Sequence, residues 1–322
     1  MLPNLDELTA AAEIVHAVMP PTAQYCWPLV CERVGTEVWI KHENHTPAGA
    51  FKVRGGIVYL DDLRRTRPDV HRLVTATRGN HGQSVAISAT RAGIAADVYV
   101  PSGNSTEKNR AMRAQGANLI EAGADFQAAV EQARAAAVEP GVEFLPSYHS
   151  ALVAGVGSYA MELLTAVPDL DSVYVPVGMG SGACGVIAAR NALGLSTKVV
   201  GVVAVGAPAY ALSIAAGHVV DTESADTLVD GVACRAPNAV AVAVLAAGLE
   251  RVVRVPDAAV AEAMRNLFAD THNVAEPAGA IAFAALMSER SQQAGRKVAA
   301  IMSGGNVDSD LFAHVLAGGD LR

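Results

Sequence analysis

Between residues 37 and 302, short apolar runs rich in β-branched residues alternate with segments of helical period. Residues 37–41, 71–75, 96–100 and 118–121 read as strands, and helical patterns follow each of them at 51–65, 81–92, 107–115 and 126–138. The series resumes with a helix at 155–165, a strand at 172–177, a helix at 183–193 and a strand at 198–205. It closes with a strand at 249–255, helices at 258–270 and 278–288, and a strand at 297–302. Parallel neighbours need a crossover between them, and a helix supplies it. The expectation is therefore an α/β protein whose parallel sheets are covered on both faces. With 322 residues, two domains are expected. No low-complexity linker marks the division. Residues 46–147 hold four βα units and are expected to form a small α/β domain, with 1–45 and 148–322 forming the large one.

Charge narrows the partners. A net charge of −8 gives no reason to expect nucleic acid or an anionic membrane, so an anionic ligand needs its own local binding device. The first twenty residues read as an amphipathic helix carrying Asp6, Glu7 and Glu13, unlike a secretory signal. No stretch reads as a membrane span. Cys26, Cys31, Cys184 and Cys234 form no CxxC pair, which predicts reduced thiols, a cytoplasmic setting and no metal site.

In open α/β sheets ligands bind beyond the carboxyl ends of strands, and four junctions there carry chemistry. In Glu43-Asn44-His45-Thr46-Pro47-Ala48-Gly49-Ala50-Phe51-Lys52-Val53-Arg54-Gly55-Gly56, a lone lysine stands between Phe51 and Val53. Burial would lower its pKa and make it a usable amine nucleophile for a carbonyl; a snorkelling lysine is the alternative. Gly55, Gly56 and Tyr59 share its helical face. Each glycine costs about 1 kcal/mol in a helix, so something is expected to approach the backbone closely there. The turn Thr77-Arg78-Gly79-Asn80-His81 offers free N–H groups and a hydroxyl suited to a carboxylate; alternatively Asn80 is a plain N-cap. Gly178-Met179-Gly180-Ser181-Gly182 follows a strand and suits a phosphate at a helix start. Gly180, Gly182 and Gly185 also fit the GxGxxG string. A dinucleotide site wants an acid near the end of the next strand, and Val199-Val200-Gly201-Val202-Val203-Ala204-Val205 has none. A phosphorylated cofactor fits better than a nicotinamide one. Ser303-Gly304-Gly305-Asn306 is the fourth junction, where Ser303 offers a hydroxyl or forms an ordinary glycine turn.

Together these segments resemble the pyridoxal-phosphate enzymes of the tryptophan-synthase-β fold type, and within them the serine/threonine dehydratases and serine racemases. The resemblance runs from about Pro28 to Asn306. Phe51-Lys52-Val53-Arg54-Gly55 and Gly79-Asn80-His81-Gly82-Gln83 are specific for it. Val153-Ala154-Gly155, Asp230-Gly231-Val232-Ala233 and Glu276-Pro277-Ala278-Gly279-Ala280 also look like it. It implies two doubly wound α/β domains, with the larger holding the phosphate of pyridoxal 5'-phosphate. By the same resemblance, Lys52 would hold the cofactor as a Schiff base and remove the substrate α-proton. Phe51 would pack near the ring, and Asn80 would bond its 3'-oxygen. Gly178, Met179, Gly180, Ser181 and Gly182 would cradle the phosphate. Ser303 would face the pyridine nitrogen, with Glu276 close to the ring. Thr77, Arg78, Gly79 and His81 would lie against the substrate. A hydroxyl opposite the pyridine nitrogen leaves the ring a poorer electron sink than a carboxylate would. Elimination of a β-hydroxyl, giving a 2-oxo acid and ammonia, is the implied reaction.

The sequence also departs from the family. Arg78 stands where relatives carry a small residue and racemases a serine; arginine stays protonated and is a poor base. Elimination is thereby favoured over racemisation, and Arg78 is a candidate for a second substrate carboxylate, as in 3-hydroxyaspartate, or a solvent-facing side chain. Tyr148 and His149 replace paired aspartates, with His149 a wall residue or a proton donor. Val203-Ala204-Val205-Gly206-Ala207-Pro208 lacks the carboxylate that binds a cation in relatives, so a metal is not expected there. The short stretch after Asn306 leaves no room for a regulatory domain, which fits a catabolic enzyme. A homodimer is expected from the family. The alternatives are a racemase, a β-replacing enzyme of the same fold, a non-catalytic amino-acid-binding homologue and, weakest, a nicotinamide dehydrogenase.

Overall fold

The computed structural model describes residues 2–124 and 126–321. Its strands, in chain order, are β1 (Gln24–Cys26), β2 (Glu37–His42), β3 (Arg72–Ala76), β4 (Ala95–Val100), β5 (Asn118–Glu121), β6 (Val142–Phe144), β7 (Ser172–Pro176), β8 (Lys198–Ala204), β9 (Arg251–Val255) and β10 (Lys297–Met302). Among the described residues they form two sheets, ordered β1-β2-β10-β7-β8-β9 and β5-β4-β3-β6. Every neighbouring pair is parallel except β1 against β2. The expected parallel α/β architecture is borne out.

Strand β8 shows why. Its side chains alternate between faces: Val200 and Val202 join the core that includes Phe283 of helix Pro277–Ser288, while Val199 and Val203 join the core that includes Ile187 of helix Ser181–Ala192. A strand covered on both sides has no polar face to show, which accounts for its continuous apolar sequence.

Several elements escaped the pattern. β1 and β6 are three residues long, too short for any period to register. Helix Ala239–Gly248 begins Ala-Val-Ala-Val, an alternation with no helical period, and depends on Asn238, whose side chain accepts from the N–H groups of Val240 and Ala241. Helix Ser150–Ala166 starts five residues earlier than expected because His149 Nδ1 caps it by accepting from the Ala151 N–H at 3.2 Å. At the start of the chain the amphipathic helix is Leu5–His16, closed by reciprocal bonds between Asn4 and Glu7.

Beneath the Lys52 helix (Lys52–Thr66) lies a buried charge network. Arg54 is fully buried and forks onto Glu43 (Nε to Oε2, 2.7 Å; Nη2 to Oε1, 3.0 Å) and onto Glu162 (Nη1 to Oε1, 2.6 Å; Nη2 to Oε2, 3.0 Å). Lys41 Nζ adds a 2.5 Å bond to Glu162 Oε2, and the Thr22 hydroxyl donates to Glu43 Oε1 at 2.6 Å. Burial opposes each of these charges. It lowers the Arg54 guanidinium, but Glu43 and Glu162 more than offset it and leave the pKa raised. Burial lifts Glu162, yet hydrogen bonds and charge from Arg54 hold it at about 2. Lys41 stays below the usual lysine range, because burial outweighs its carboxylates.

Arg54→Met leaves two buried carboxylates without their partner and is expected to cost about 3–5 kcal/mol in chemical denaturation. Because Glu162 is depressed from 4.5 to about 2, its contribution is present above pH 4.5 and lost as pH falls towards 2. The denaturation midpoint of the wild type should fall across that window, and that of Glu162→Gln should fall less.

Candidate active site

The loop before Lys52 is stitched to the end of β10. Ala50 bridges Gly304, the Phe51 N–H donates to Ser303 O at 3.0 Å, and the Gly305 N–H donates to Gly49 O at 2.9 Å. The Thr46 hydroxyl closes the loop on itself, bonding both O and N of Ala50. Two junctions far apart in sequence thus become one wall. Lys52 opens its helix and is half-buried, with Nζ 5.4 Å from the Phe51 ring centroid. Burial pushes its pKa down, with Glu276 pulling the other way. Among the described residues its amine has no hydrogen-bond or ion-pair partner. That is unlike Lys41, whose amine is triply bonded.

What approaches Gly55 and Gly56 is protein. A Cβ on Gly55 would sit 3.0 Å from Leu152 O, and one on Gly56 would sit 2.4 Å from Ser84 Oγ. Reciprocally, a Cβ on Gly155 would meet Arg54 O at 2.4 Å. Helices Ser150–Ala166 and Asn80–Ala92 therefore press directly on the Lys52 helix.

At the second junction the residue capping helix Asn80–Ala92 is Gly79, with no side-chain cap bond. Asn80 is thereby freed from the capping role: its Nδ2 donates to Glu276 Oε1 at 2.6 Å, and its Oδ1 accepts from Asn306 Nδ2 at 2.8 Å. One amide hydrogen of Asn80 is left for a ligand. Thr77 Oγ1 accepts from the Gly79 N–H at 3.0 Å, shaping the turn and leaving its own O–H available. His81 is buried with Nε2 3.5 Å from Leu145 O; burial and the neighbouring Lys52 bring its pKa to about 3, so it is neutral. Arg78 is exposed. Glu276 is buried, and burial raises it to about 7 against the pull of Lys108, Asn80 and Lys52.

The glycine loop completes the site. Gly180 has φ +94°, a left-handed conformation that lets the chain turn into helix Ser181–Ala192. A Cβ on Gly178 would sit 2.2 Å from Gly231 O, and one on Gly182 would lie 3.6 Å from the Phe51 ring. Two tyrosines take loop carbonyls: Tyr210 OH donates to Met179 O at 2.8 Å and Tyr159 OH to Gly182 O at 3.2 Å. The helix start, which includes the buried Ser181, has no side-chain cap, so its N–H groups remain for an anion. Ser303 is buried, and its hydroxyl donates to Ala278 O at 3.0 Å. It can turn its single O–H to a ligand only by releasing that carbonyl.

Lys52, Phe51, Gly182, Ser303, Glu276 and Asn80 are joined by these contacts. His149 caps a helix and meets the Tyr59 ring edge-on at 5.0 Å, while the Tyr148 hydroxyl lies 3.8 Å from Cys184 Sγ. Sequence reasoning gave no role to Asn306, Tyr159, Tyr210 or Lys108. Asn306 stood inside a quoted string, but nothing local points a side chain at Asn80.

Residues 25–304 match the family described as pyridoxal-phosphate dependent enzyme. The chain belongs to that family. It is 30% identical over 317 residues to the L-threonine ammonia-lyase of Thermotoga maritima, covering 97% of this chain and 78% of that protein. It is 27% identical to the L-threo-3-hydroxyaspartate ammonia-lyase of Saccharomyces cerevisiae over 99% of this chain and 98% of that one. The structure of maize serine racemase matches with a TM-score of 0.90 and 26% identity, covering 99% of this chain and 98% of that chain. The fold is thus the tryptophan-synthase-β-like fold that the sequence resembles, and the cofactor of the family is pyridoxal phosphate. The residues present fit this phosphorylated aldehyde: an amine without a partner, and a glycine loop whose N–H groups sit at an uncapped helix start. Family membership also disposes of the nicotinamide alternative.

Gly180→Ala places a Cβ 2.8 Å from that of Ala241 and strains the turn. Left-handed backbone costs about 1–2 kcal/mol for a non-glycine residue, so binding of pyridoxal phosphate is expected to weaken about tenfold, read by titration of its absorbance.

Proposed function

We propose that the protein is an ammonia-lyase that removes water from a β-hydroxy-α-amino acid and releases a 2-oxo acid and ammonia. The substrate is threonine- or serine-like, or carries a further polar group as 3-hydroxyaspartate does. The observation that carries this reading is the pairing of Lys52, an amine with lowered pKa and no partner, with Ser303, a neutral hydroxyl at the end of β10. Similarity to two ammonia-lyases over nearly the whole of this chain supports it.

Lys52 would hold the cofactor, with Phe51 against it. Gly178, Met179, Gly180, Ser181 and Gly182 would bind its phosphate, and Asn80, Glu276 and Ser303 would meet its ring. When bound, pyridoxal phosphate supplies an aldehyde for the substrate amine and a conjugated ring that accepts electrons from the α-carbon. The α-carboxylate is taken by the N–H groups and hydroxyl of the Thr77–His81 turn. His81, neutral and buried, adds no charge there. The freed Lys52 amine accepts the α-proton. Ser303 would offer no negative charge to the ring nitrogen, so the bound cofactor would supply a weaker electron sink, which suits loss of the β-hydroxyl. Water leaves, the enamine product takes water back, and ammonia departs, so no oxidant is needed.

A racemase is the second reading, favoured by the likeness to maize serine racemase. Arg78, next to Thr77, is a poor base for the opposite face of the α-carbon. The protein is further proposed to be a cytoplasmic homodimer, with residues 46–147 as a small α/β domain beside a large one of 1–45 and 148–322. No helix among the described residues is long and apolar enough to cross a membrane.

The test is product analysis with L-threonine, L-serine and threo-3-hydroxyaspartate. A 2-oxo acid and ammonia are expected; an inverted amino acid alone would establish the racemase instead. Lys52→Ala should lose turnover and the visible absorption of the lysine-bound cofactor, and retention of both would sink the assignment. Arg78→Ala should lower kcat/KM about tenfold for 3-hydroxyaspartate and little for threonine if it binds the second carboxylate. An equal loss for all three substrates argues against side-chain recognition.

A further inference from the structure

The first turn of helix Thr106–Ala114 reaches across to segments that flank the six-stranded sheet. Ser105 Oγ donates to Asp308 Oδ1 at 2.5 Å, and Glu107 Oε1 accepts from the N–H and hydroxyl of Ser309 at 3.1 and 2.8 Å. Lys108 Nζ pairs with Asp230 Oδ2 at 3.0 Å. An exposed ion pair of this kind would carry little weight. Here the lysine side chain is only 15% exposed, against 44% for Asp230. Its stem lies on the proposed substrate turn: a Cβ at Gly79 would sit 3.0 Å from Lys108 Cδ. Its charge is felt at Glu276, where Lys108 is the strongest of the charged neighbours, ahead of Asp230 and Lys52. Glu276 in turn holds Asn80 Nδ2 at 2.6 Å. One side chain thus touches the Gly79 turn, anchors on Asp230 and acts on the Glu276–Asn80 pair. Asp308 is the third carboxylate acting on it.

We propose that Lys108 is a positioning residue for the reaction. Anchored on Asp230, its stem sets the height of the Gly79 turn, and with it the N–H groups that receive the substrate carboxylate. This role rests on the ammonia-lyase reading for its substrate, and Lys108 lies outside the four strand-end junctions. Substituting Gly79 by a larger residue would push on this stem.

The experiment compares the cofactor-loaded wild type with Lys108→Met, Lys108→Arg, Asp230→Asn and the Lys108→Met/Asp230→Asn double variant. For Lys108→Met, KM for the hydroxyamino acid is expected to rise about tenfold while kcat falls less than about threefold. The visible cofactor absorbance and the cofactor affinity should stay within about twofold. Lys108→Arg keeps the charge and much of the stem and should return KM to within about threefold of wild type. Asp230→Asn should shift KM in the same direction, and the double variant should be no worse than Lys108→Met, because the two act as a unit. A KM for Lys108→Met within about twofold of wild type overturns the proposal. So do losses that multiply in the double variant, or a loss that Arg does not rescue. If the wild type releases no ammonia from any hydroxyamino acid, the ammonia-lyase reading fails by itself. The clasp is then judged on hydrogen exchange of the cofactor-loaded protein. Lys108→Met and Asp230→Asn should speed exchange at residues 77–83 about tenfold, and unchanged exchange refutes it.

Discussion

Arg54 is the point from which this site is built. It lies two residues beyond Lys52 and carries a full charge with no exposure to water. That is tolerable only because four oxygens from Glu43 and Glu162 meet its fork, with Ser158 Oγ at 2.9 Å and Thr22 Oγ1 at 3.2 Å as well. The geometry fixes more than a distance. A guanidinium held on both edges cannot rotate about the helix axis, so the first turn of the Lys52 helix is locked in azimuth. Glu43 follows directly after β2, and Glu162 lies in helix Ser150–Ala166; the network therefore ties the lysine to the sheet and to the helix that packs on Gly55. Paired Lys41 shows what lysine does when water is replaced by carboxylates and carbonyls. Lys52, a short way along the same chain, is left without such partners among the described residues, and this contrast between the two lysines underlies the role proposed for its amine.

The second constraint is the short pairing between residues 49–51 and 303–305. Backbone hydrogen bonds rather than side chains make it, with Gly49 on one stretch and Gly304 and Gly305 on the other. A Cβ on Gly304 would fall 2.2 Å from Glu276 Oε1, and one on Gly279 would fall 2.1 Å from Gly304 O. Glu276 accordingly reaches Asn80 through a channel that only glycine leaves open. Asn306 closes the circuit by donating to both Ala48 O and Asn80 Oδ1. The four strand-end junctions recognised separately in the sequence are thus three-quarters of one hydrogen-bonded ring, with the Gly178–Gly182 loop joined to it through the Phe51 ring.

This explains what could and could not be read from the chain. Parallel strands buried on both faces leave unbroken apolar runs, and β8 announced itself for that reason. Glycines and a lone lysine at strand ends are also visible, because they contradict their apolar surroundings. The partners of Arg54 are not. Thr22, Glu43, Ser158 and Glu162 come from three separate segments, and no local spacing distinguishes them from surface residues. The short strands β1 and β6 and the alternating start of helix Ala239–Gly248 lack a period to detect. Gly55 and Gly56 illustrate a subtler limit. Their sequence predicts a close approach, but only the structure identifies the approaching groups as Leu152 and Ser84 rather than a ligand.

Charge in the site follows from burial more than from pairing. The chain is acidic overall, yet helices Asn80–Ala92 and Ser181–Ala192 start without side-chain caps, and free N–H groups of that kind suit an anion. Such donors carry no net charge and cannot drive the lysine pKa down by repulsion. What lowers Lys52 is removal from water, and the same removal raises Glu276 to about 7. Burial thus acts on the two groups in opposite directions, disfavouring the charged form of each. His81 is kept neutral by its own burial and by Lys52, which together leave it near 3. With histidine silent, Asn80 bonded to Glu276 and Ser303 neutral, the amine of Lys52 is left without a hydrogen-bond or ion-pair partner among the described residues, which is what the proposed role in moving the α-proton requires.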